Sequence, residues 1–179
     1  LGTAAVRGRI GGDPANVTRA YRSDFEALEN VLLGPGKTPP PGRIFLLELP
    51  SRVVPGTRDH TVSIEGPLQI AEQITDALLL EYTEGRPMSE VGWGRLSAAT
   101  LTQVLRLHSL YFELTAGTFY PAQVQASNLA DHLLKTIEQS VSGQAVTGAF
   151  GTPAQKLVII SGHDTNIINL GGMLGAKWC

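Results

Sequence analysis

Residues 156–174 read Lys-Leu-Val-Ile-Ile-Ser-Gly-His-Asp-Thr-Asn-Ile-Ile-Asn-Leu-Gly-Gly-Met-Leu, and this stretch decides the fold. Leu157-Val158-Ile159-Ile160 is an apolar, β-branched run suited to a strand buried on both faces. Ser161-Gly162 interrupts it with a small turn. Asp164 and Thr165 then stand where N-cap residues belong, ahead of the helical spacing Ile167, Ile168, Leu170, Leu174. The pattern predicts strand, tight turn, helix. His163 and Asp164 fall in the turn, where open α/β sheets hold their ligands and unpaired helix N–H groups favour an anion. An Asp ahead of a helix also serves simply as a cap, so the remainder of the chain has to distinguish chemistry from capping.

Working outward, 179 residues suffice for one domain with a sizeable core. Hydrophobic residues make up 42% and charged residues 17%, with a net charge of −2. Such a chain is neither disordered by composition nor basic enough to track nucleic acid. It has no apolar run of membrane-spanning length, so no membrane partner is expected. Leu1 at the start and Trp178-Cys179 at the end read as cuts inside a longer polypeptide. The single cysteine cannot form an internal disulfide and leaves the compartment open.

Arg7 to Gly12 is turn-rich and leads into Asp13-Pro14, a helix start signal. The helix predicted from there runs to about Leu33, with Val17, Tyr21, Phe25, Leu28 and Leu32 on one stripe. Asn16-Val17-Thr18 matches a glycosylation sequon, but inside a helix it reads as chance. Gly34 to Gly42 forms a loop. Its Gly36-Lys37-Thr38 resembles the end of a phosphate loop, yet Val31 stands where that motif needs glycine, and proline follows where it needs helix. Between Arg43 and Glu65 the prolines leave short extended pieces at best. A helix is predicted from Pro67 to about Thr83, with Leu68, Ala71, Ile74, Leu78 and Leu79 inward. Gly92-Trp93-Gly94-Arg95 is a tight aromatic turn. Long amphipathic helices follow over about 97–116 and 121–141, and the Gly143 to Pro153 loop returns to the opening stretch.

The fold class is therefore α+β, mainly α: a single domain over 1–179. Helices occupy about 1–150, and a strand-turn-helix occupies 155–179. A strand apolar on both faces needs neighbours, and no convincing second strand is present. Its neighbours are expected in sequence outside this chain.

Ser-Gly-His163-Asp164-Thr165-Asn166, after an apolar strand and before Asn169-Leu170-Gly171-Gly172, resembles the His-Asp motif of the histidine acid phosphatase family. It is most similar to the bacterial periplasmic branch of phytases, glucose-1-phosphatases and phosphoanhydride phosphorylase. The resemblance covers nearly the whole chain. Ile10-Gly11-Gly12, Phe25-Glu26-Ala27-Leu28-Glu29, Glu81-Tyr82-Thr83-Glu84-Gly85 and Gly92-Trp93-Gly94-Arg95 occur in that branch's order. Two features depart from it: no Arg-His-Gly nucleophile signature occurs here, and the branch's usual cysteine pairs are absent.

What the resemblance implies is the helical domain of a histidine-phosphatase α/β fold, completed by a missing N-terminal α/β half of the parent chain. It implies a periplasmic or secreted acid phosphatase acting on phosphomonoesters or phosphoanhydrides such as phytate and sugar phosphates, without a cofactor or metal. A histidine supplied by the absent signature would attack phosphorus, and water would hydrolyse the phosphohistidine. His163 would donate to a phosphate oxygen, and Asp164 would protonate the leaving group and then help deprotonate water. The amino end of a helix favours a carboxylate, whereas a bound phosphate dianion favours the acid form, so an acidic optimum is expected. Thr165, Gln73 and Asp76 match positions that would face the substrate, although exposed helix polarity explains the last two equally well.

Other residues point elsewhere. His60, His108 and His132 lack metal-ligand spacing, and His108 and His132 fit helical packing or surface positions. Trp93 and Arg95 fit a turn that packs the domain better than a ligand contact. Cys179 reads as inert. Two rival classes stand beside the phosphatase. One is a metal-dependent phosphohydrolase using His163-Asp164 with Asp131-His132. The other is a non-catalytic helical binding module. The isolated chain, without the nucleophile, is expected to be inactive.

Overall fold

The computed structural model describes residues 1–58 and 61–176. His60 and Cys179 therefore lie outside the described residues. The helices are α1 (Gly2–Arg9), α2 (Ala15–Ala20), α3 (Arg22–Leu33), α4 (Pro67–Thr83), α5 (Ala98–Thr115), α6 (Phe119–Ser142) and α7 (Asp164–Leu174). Strands β1 (Arg52–Pro55) and β2 (Val62–Glu65) pair antiparallel, with Val53 opposite Ile64. The mainly helical α+β reading holds. The chain forms two compact units, Leu1–Thr115 and from Ala116 on. The sequence reading set its helical part off near residue 150; in the structure α6 belongs to the C-terminal unit with α7.

In the N-terminal unit, one side of each element feeds a common core. Val6, Phe25, Leu28, Val104 and Leu107 are fully buried, and Ile64 and Leu68 nearly so. The helix predicted from residue 13 is two helices. Tyr21, at φ −110° and ψ 23°, breaks it, yet Val17, Phe25 and Leu28 stay on the core side. Periodicity detects a shared buried face and is blind to a single non-helical residue within it. At the start, Asp13 Oδ1 accepts from the Ala15 N–H at 2.9 Å and its Oδ2 pairs with Arg19 at 2.9 Å, which satisfies the predicted start one residue late. The sequon is closed off locally: Asn16 Nδ2 donates to the Ile10 carbonyl at 2.9 Å.

The pieces expected between Arg43 and Glu65 resolve into a one-turn 3-10 helix at Leu46–Glu48 and the β1–β2 hairpin. The predicted 92–95 turn is present. Gly92, Trp93 and Gly94 all have left-handed φ, at 56°, 59° and 69°. At Gly94 a Cβ would lie 2.6 Å from the Ser89 carbonyl oxygen, so glycine is required by space as well as conformation.

In the C-terminal unit, α7 packs on the first part of α6. A Cβ on Gly172 would stand 2.4 Å from the Gly117 carbonyl oxygen and 2.8 Å from the Ala122 side chain, so the backbones meet with no room for a methyl group. The loop after α6 is tied back to that helix. Gln139 Oε1 accepts from Val146 N–H at 3.1 Å, Thr136 Oγ1 from Phe150 N–H at 2.9 Å, and the His132 ring bonds the Gly148 carbonyl at 2.5 Å. No described helix is long and apolar enough to cross a membrane.

The opening stretch requires one correction. Residues 157–160 form no strand and are not buried: Leu157 is 73% and Ile159 81% exposed. A strand exists only through its ladder, and the strands described here, β1 and β2, pair with each other. The run has the composition of a central strand and no partner among the described residues.

Candidate functional site

The predicted turn forms where the 157–160 run meets α7. His163 is extended (φ −92°, ψ 165°) and takes the N-cap position, with Asp164 as the first helical residue. The cap is thus one residue earlier than the Asp164-Thr165 pattern suggested. Its hydrogen bonds come from the helix itself. His163 N–H donates to Asn166 Oδ1 at 2.9 Å, and Asn166 N–H donates to the His163 carbonyl at 3.0 Å. This is the reciprocal half of a capping box, made by Asn in place of Glu or Gln. Asn166 holds the turn's backbone, a role the sequence reading passed over; the His-x-x-Asn spacing was the signal for it.

Asp164 Oδ1 accepts from the Thr165 N–H at 2.6 Å. His163 and Asp164 are both exposed, and Thr165 is half-buried. The imidazole and carboxyl are adjacent at the amino end of an eleven-residue helix, where free N–H groups and the helix dipole favour an anion. They are not interred in a core, which is the arrangement that would have removed them from any chemistry.

The α7 side behind this turn is polar and small. Asn169 is 4% exposed and donates to Gln125 Oε1 on α6 at 3.3 Å, and Gly171 is buried. Ile167 and Leu174, which the helical spacing put on an apolar stripe, are 58% and 72% exposed. The helix therefore seats on α6 through Asn169, Gly171 and Gly172 and turns Ile167 and Leu174 outward, with Ile168 and Leu170 half-buried.

Gln73 and Asp76 lie on α4 in the N-terminal unit, Gln73 exposed and Asp76 partly so, on the side opposite the buried Ala71, Thr75 and Leu78. They share one helix face. The rival metal pair is otherwise engaged: Asp131 binds Lys135 at 2.6 Å, and His132 bonds Gly148. Among the described residues no three His, Cys, Asp or Glu side chains gather as a metal site. Arg95 serves the turn: it donates to Val31 and Leu32, and its guanidinium lies 5.9 Å from the centre of the exposed Trp93 ring.

A separate cleft of about 500 Å³ opens along α3, lined by Glu26, Glu29, Lys37, Phe45 and Glu48 among others. Burial pushes the Glu29 carboxyl above its usual range against the pull of the Leu46 and Leu47 N–H groups, and Glu26 and Glu48 add to the rise. Glu29 accepts from Leu46 N–H at 2.5 Å, so it anchors the 3-10 turn.

No family model matches the chain. Individual proteins do. Phytase AppA of Escherichia coli strain K12 is 32% identical across 98% of this chain, and the match covers 41% of that protein. Glucose-1-phosphatase of Salmonella typhimurium is 31% identical over 60% of the chain and 24% of its own length. Among solved structures, Hafnia alvei phytase in complex with tartrate superposes with a TM-score of 0.81 at 27% identity, over 99% of this chain and 44% of that one. The phytase from Citrobacter braakii gives 0.78 at 29%, over 98% and 43%. The chain thus spans about two-fifths of the phytases it matches. Across that span, with its helices in the phytase arrangement and its His-Asp turn open at the head of α7, the chain belongs to the histidine acid phosphatase family.

Proposed function

We propose that this chain is the helical portion of an acid phosphatase that hydrolyses phosphomonoesters or phosphoanhydrides, phytate and sugar phosphates among them, through a phosphohistidine intermediate. The observation that carries the reading is the exposed His163-Asp164 pair at the amino end of α7, in a chain matching phytase AppA along 98% of its length.

The nucleophilic histidine belongs to an Arg-His-Gly signature that these 179 residues do not contain, so the reaction needs the rest of the enzyme. His163 donates to a phosphoryl oxygen, next to the helix N–H groups. Asp164 gives its proton to the leaving alkoxide as the P–O bond breaks, then takes one from the water that attacks the phosphohistidine. Thr165 lies in the first turn of α7 beside the same oxygens. Gln73 and Asp76 contact the remainder of the ester. The similarity to the periplasmic branch supports an extracytoplasmic location, which cell fractionation would check.

Incubation with p-nitrophenyl phosphate at acid pH tests the reading. The 179-residue chain should release no p-nitrophenol, and a longer polypeptide carrying the Arg-His-Gly signature should release it with or without a chelator. Turnover abolished by chelation would overturn the phosphohistidine route in favour of a metal-dependent one.

A further inference from the structure

We propose that Asn169, through its amide pair with Gln125, is a positioning residue for the reaction: the pair fixes the rotation of α7 about its own axis and so the direction in which His163 and Asp164 face. This rests on the phosphatase reading above. Both residues lie in the C-terminal unit, Asn169 on α7 and Gln125 on α6. Asn169 is 4% exposed, and its Nδ2 donates to Gln125 Oε1 at 3.3 Å.

Thr165, Asn169 and Gly172 recur at i, i+4 and i+7, so they share the side of α7 that meets α6. On α6 the matching positions are Ala122, which the Gly172 seat approaches, and Gln125, which receives Asn169. A step back along α7 from Gly172 to Asn169 is thus a step forward along α6 from Ala122 to Gln125. The two helices run antiparallel here, and the amide pair marks their register.

The rest of this contact is smooth. Ala122, Ala126 and Gly171 are buried, and none carries a side chain longer than a methyl group. Helices lock against each other by setting side-chain ridges into grooves, and a surface of such small residues has shallow ridges. It sets how closely α7 approaches and leaves the rotation to a directional contact. A hydrogen bond between two amides is directional, and neither amide changes charge with pH.

As a source of stability the pair is poor. Asn169 Oδ1 is buried and has no hydrogen-bond partner among the described residues. An unmet buried acceptor is unfavourable, whereas replacing both members of a polar pair by apolar groups of similar shape is close to neutral. What a buried polar contact supplies is a choice of one arrangement over its near alternatives, as a buried asparagine does between coiled-coil helices. Here that arrangement carries the imidazole and the carboxyl. A side-chain tip stands about 5–6 Å from a helix axis, so a rotation of about 20° moves it by about 2 Å.

The test compares Asn169→Leu/Gln125→Met, Gln125→Met alone and the exchanged pair Asn169→Gln/Gln125→Asn. The double apolar variant should melt no lower than the wild type. In the longer polypeptide with the Arg-His-Gly signature, its kcat for glucose 1-phosphate should fall by about tenfold or more with KM unchanged. Gln125→Met alone should lose kcat in the same way, and it carries the test if the double variant fails to fold. The exchanged pair, which keeps the summed length and an amide on each helix, should recover most of the kcat. In the 179-residue chain, the backbone amide NMR signals of His163, Asp164 and Thr165 should shift in the apolar variants and return towards wild type in the exchanged pair.

Wild-type kcat in the apolar variants would overturn the positioning role, and so would a lost kcat that the exchanged pair does not recover. A raised KM with unmoved kcat would show Gln125 meeting the ester itself and overturn that role too. A wild-type longer polypeptide without turnover would sink the phosphatase reading and the role in the reaction together. Unmoved NMR signals would separately overturn the claim that the pair directs α7.

Discussion

The Arg95 guanidinium donates to the carbonyl oxygen of Leu32 at 2.9 Å, across 63 residues of sequence, and to that of Val31 at 3.0 Å. A helix leaves its last carbonyls without partners, and here a side chain from the left-handed 92–94 turn supplies them for α3. The Gly-Trp-Gly-Arg segment is thereby a tie between two parts of the N-terminal unit. Arg95→Ala should destabilise the chain by about 1–2 kcal/mol, the size expected for hydrogen bonds from a charged donor at an exposed site. Both bonds come from the one nitrogen Nη1, so Arg95→Lys, whose more strongly hydrated ammonium sits on a stem of different geometry, should recover only part of that in urea unfolding.

Gly172→Ala should cost about 1–3 kcal/mol, because the added methyl would meet the Gly117 carbonyl oxygen at 2.4 Å and α7 would have to lift from α6. Hydrogen exchange should show faster opening in residues 164–174 than in the N-terminal unit. A variant as stable as the wild type would show that the two helices are more loosely joined than described.

Glu29 gives a pH prediction with a definite sign. Its carboxyl titrates above the ordinary 4.5 in the folded chain, chiefly because it is partly buried. On raising the pH the unfolded chain loses this proton first, so stability through this group is complete below the ordinary value and falls as pH rises through the folded one. Glu29→Gln keeps an oxygen to accept from Leu46 N–H. Compared with the wild type, the variant should therefore be relatively more stable at neutral pH than near pH 4. Melting curves at the two pH values would read this directly, and the opposite order would contradict the burial argument.

Asp164→Asn removes the proposed acid while keeping an oxygen to accept from Thr165 N–H. In the longer polypeptide kcat should fall by about 10²–10⁴, the range associated with a positioned general acid. The loss should be smaller for substrates with good leaving groups such as p-nitrophenol. Equal losses for poor and good leaving groups would point to a positioning role for Asp164.

Residues with a local cause were legible in the sequence. The 3.6-residue spacing placed α4, α5 and α6 to within a few residues, and Gly-Trp-Gly marked its turn. His163-Asp164 stood out because a strand-like run abruptly gives way to helical spacing. Residues with a distant cause were not legible. Helix α1 begins Gly-Thr-Ala-Ala and has little stripe of its own, yet Val6 is fully buried by tertiary packing. Pro50, Pro55 and Gly56 concealed the β1–β2 hairpin, whose register depends on partners. The 157–160 run failed for the same reason in reverse: composition describes an environment, and only a neighbouring strand can provide it. The pairing of Asn169 with Gln125 could not be read at all, since 44 positions separate them and polarity alone names no partner.

The seat of Gly172 has a mechanical consequence. Nine residues separate it from His163, about 13 Å at 1.5 Å per residue, so α7 acts as a lever with its fulcrum near one tip and the imidazole at the other. A tilt of about 5° at the fulcrum would swing the imidazole by about 1 Å, a misplacement that can slow a reaction about a hundredfold. Gly172 thus governs the aim of the imidazole proposed to meet the phosphate.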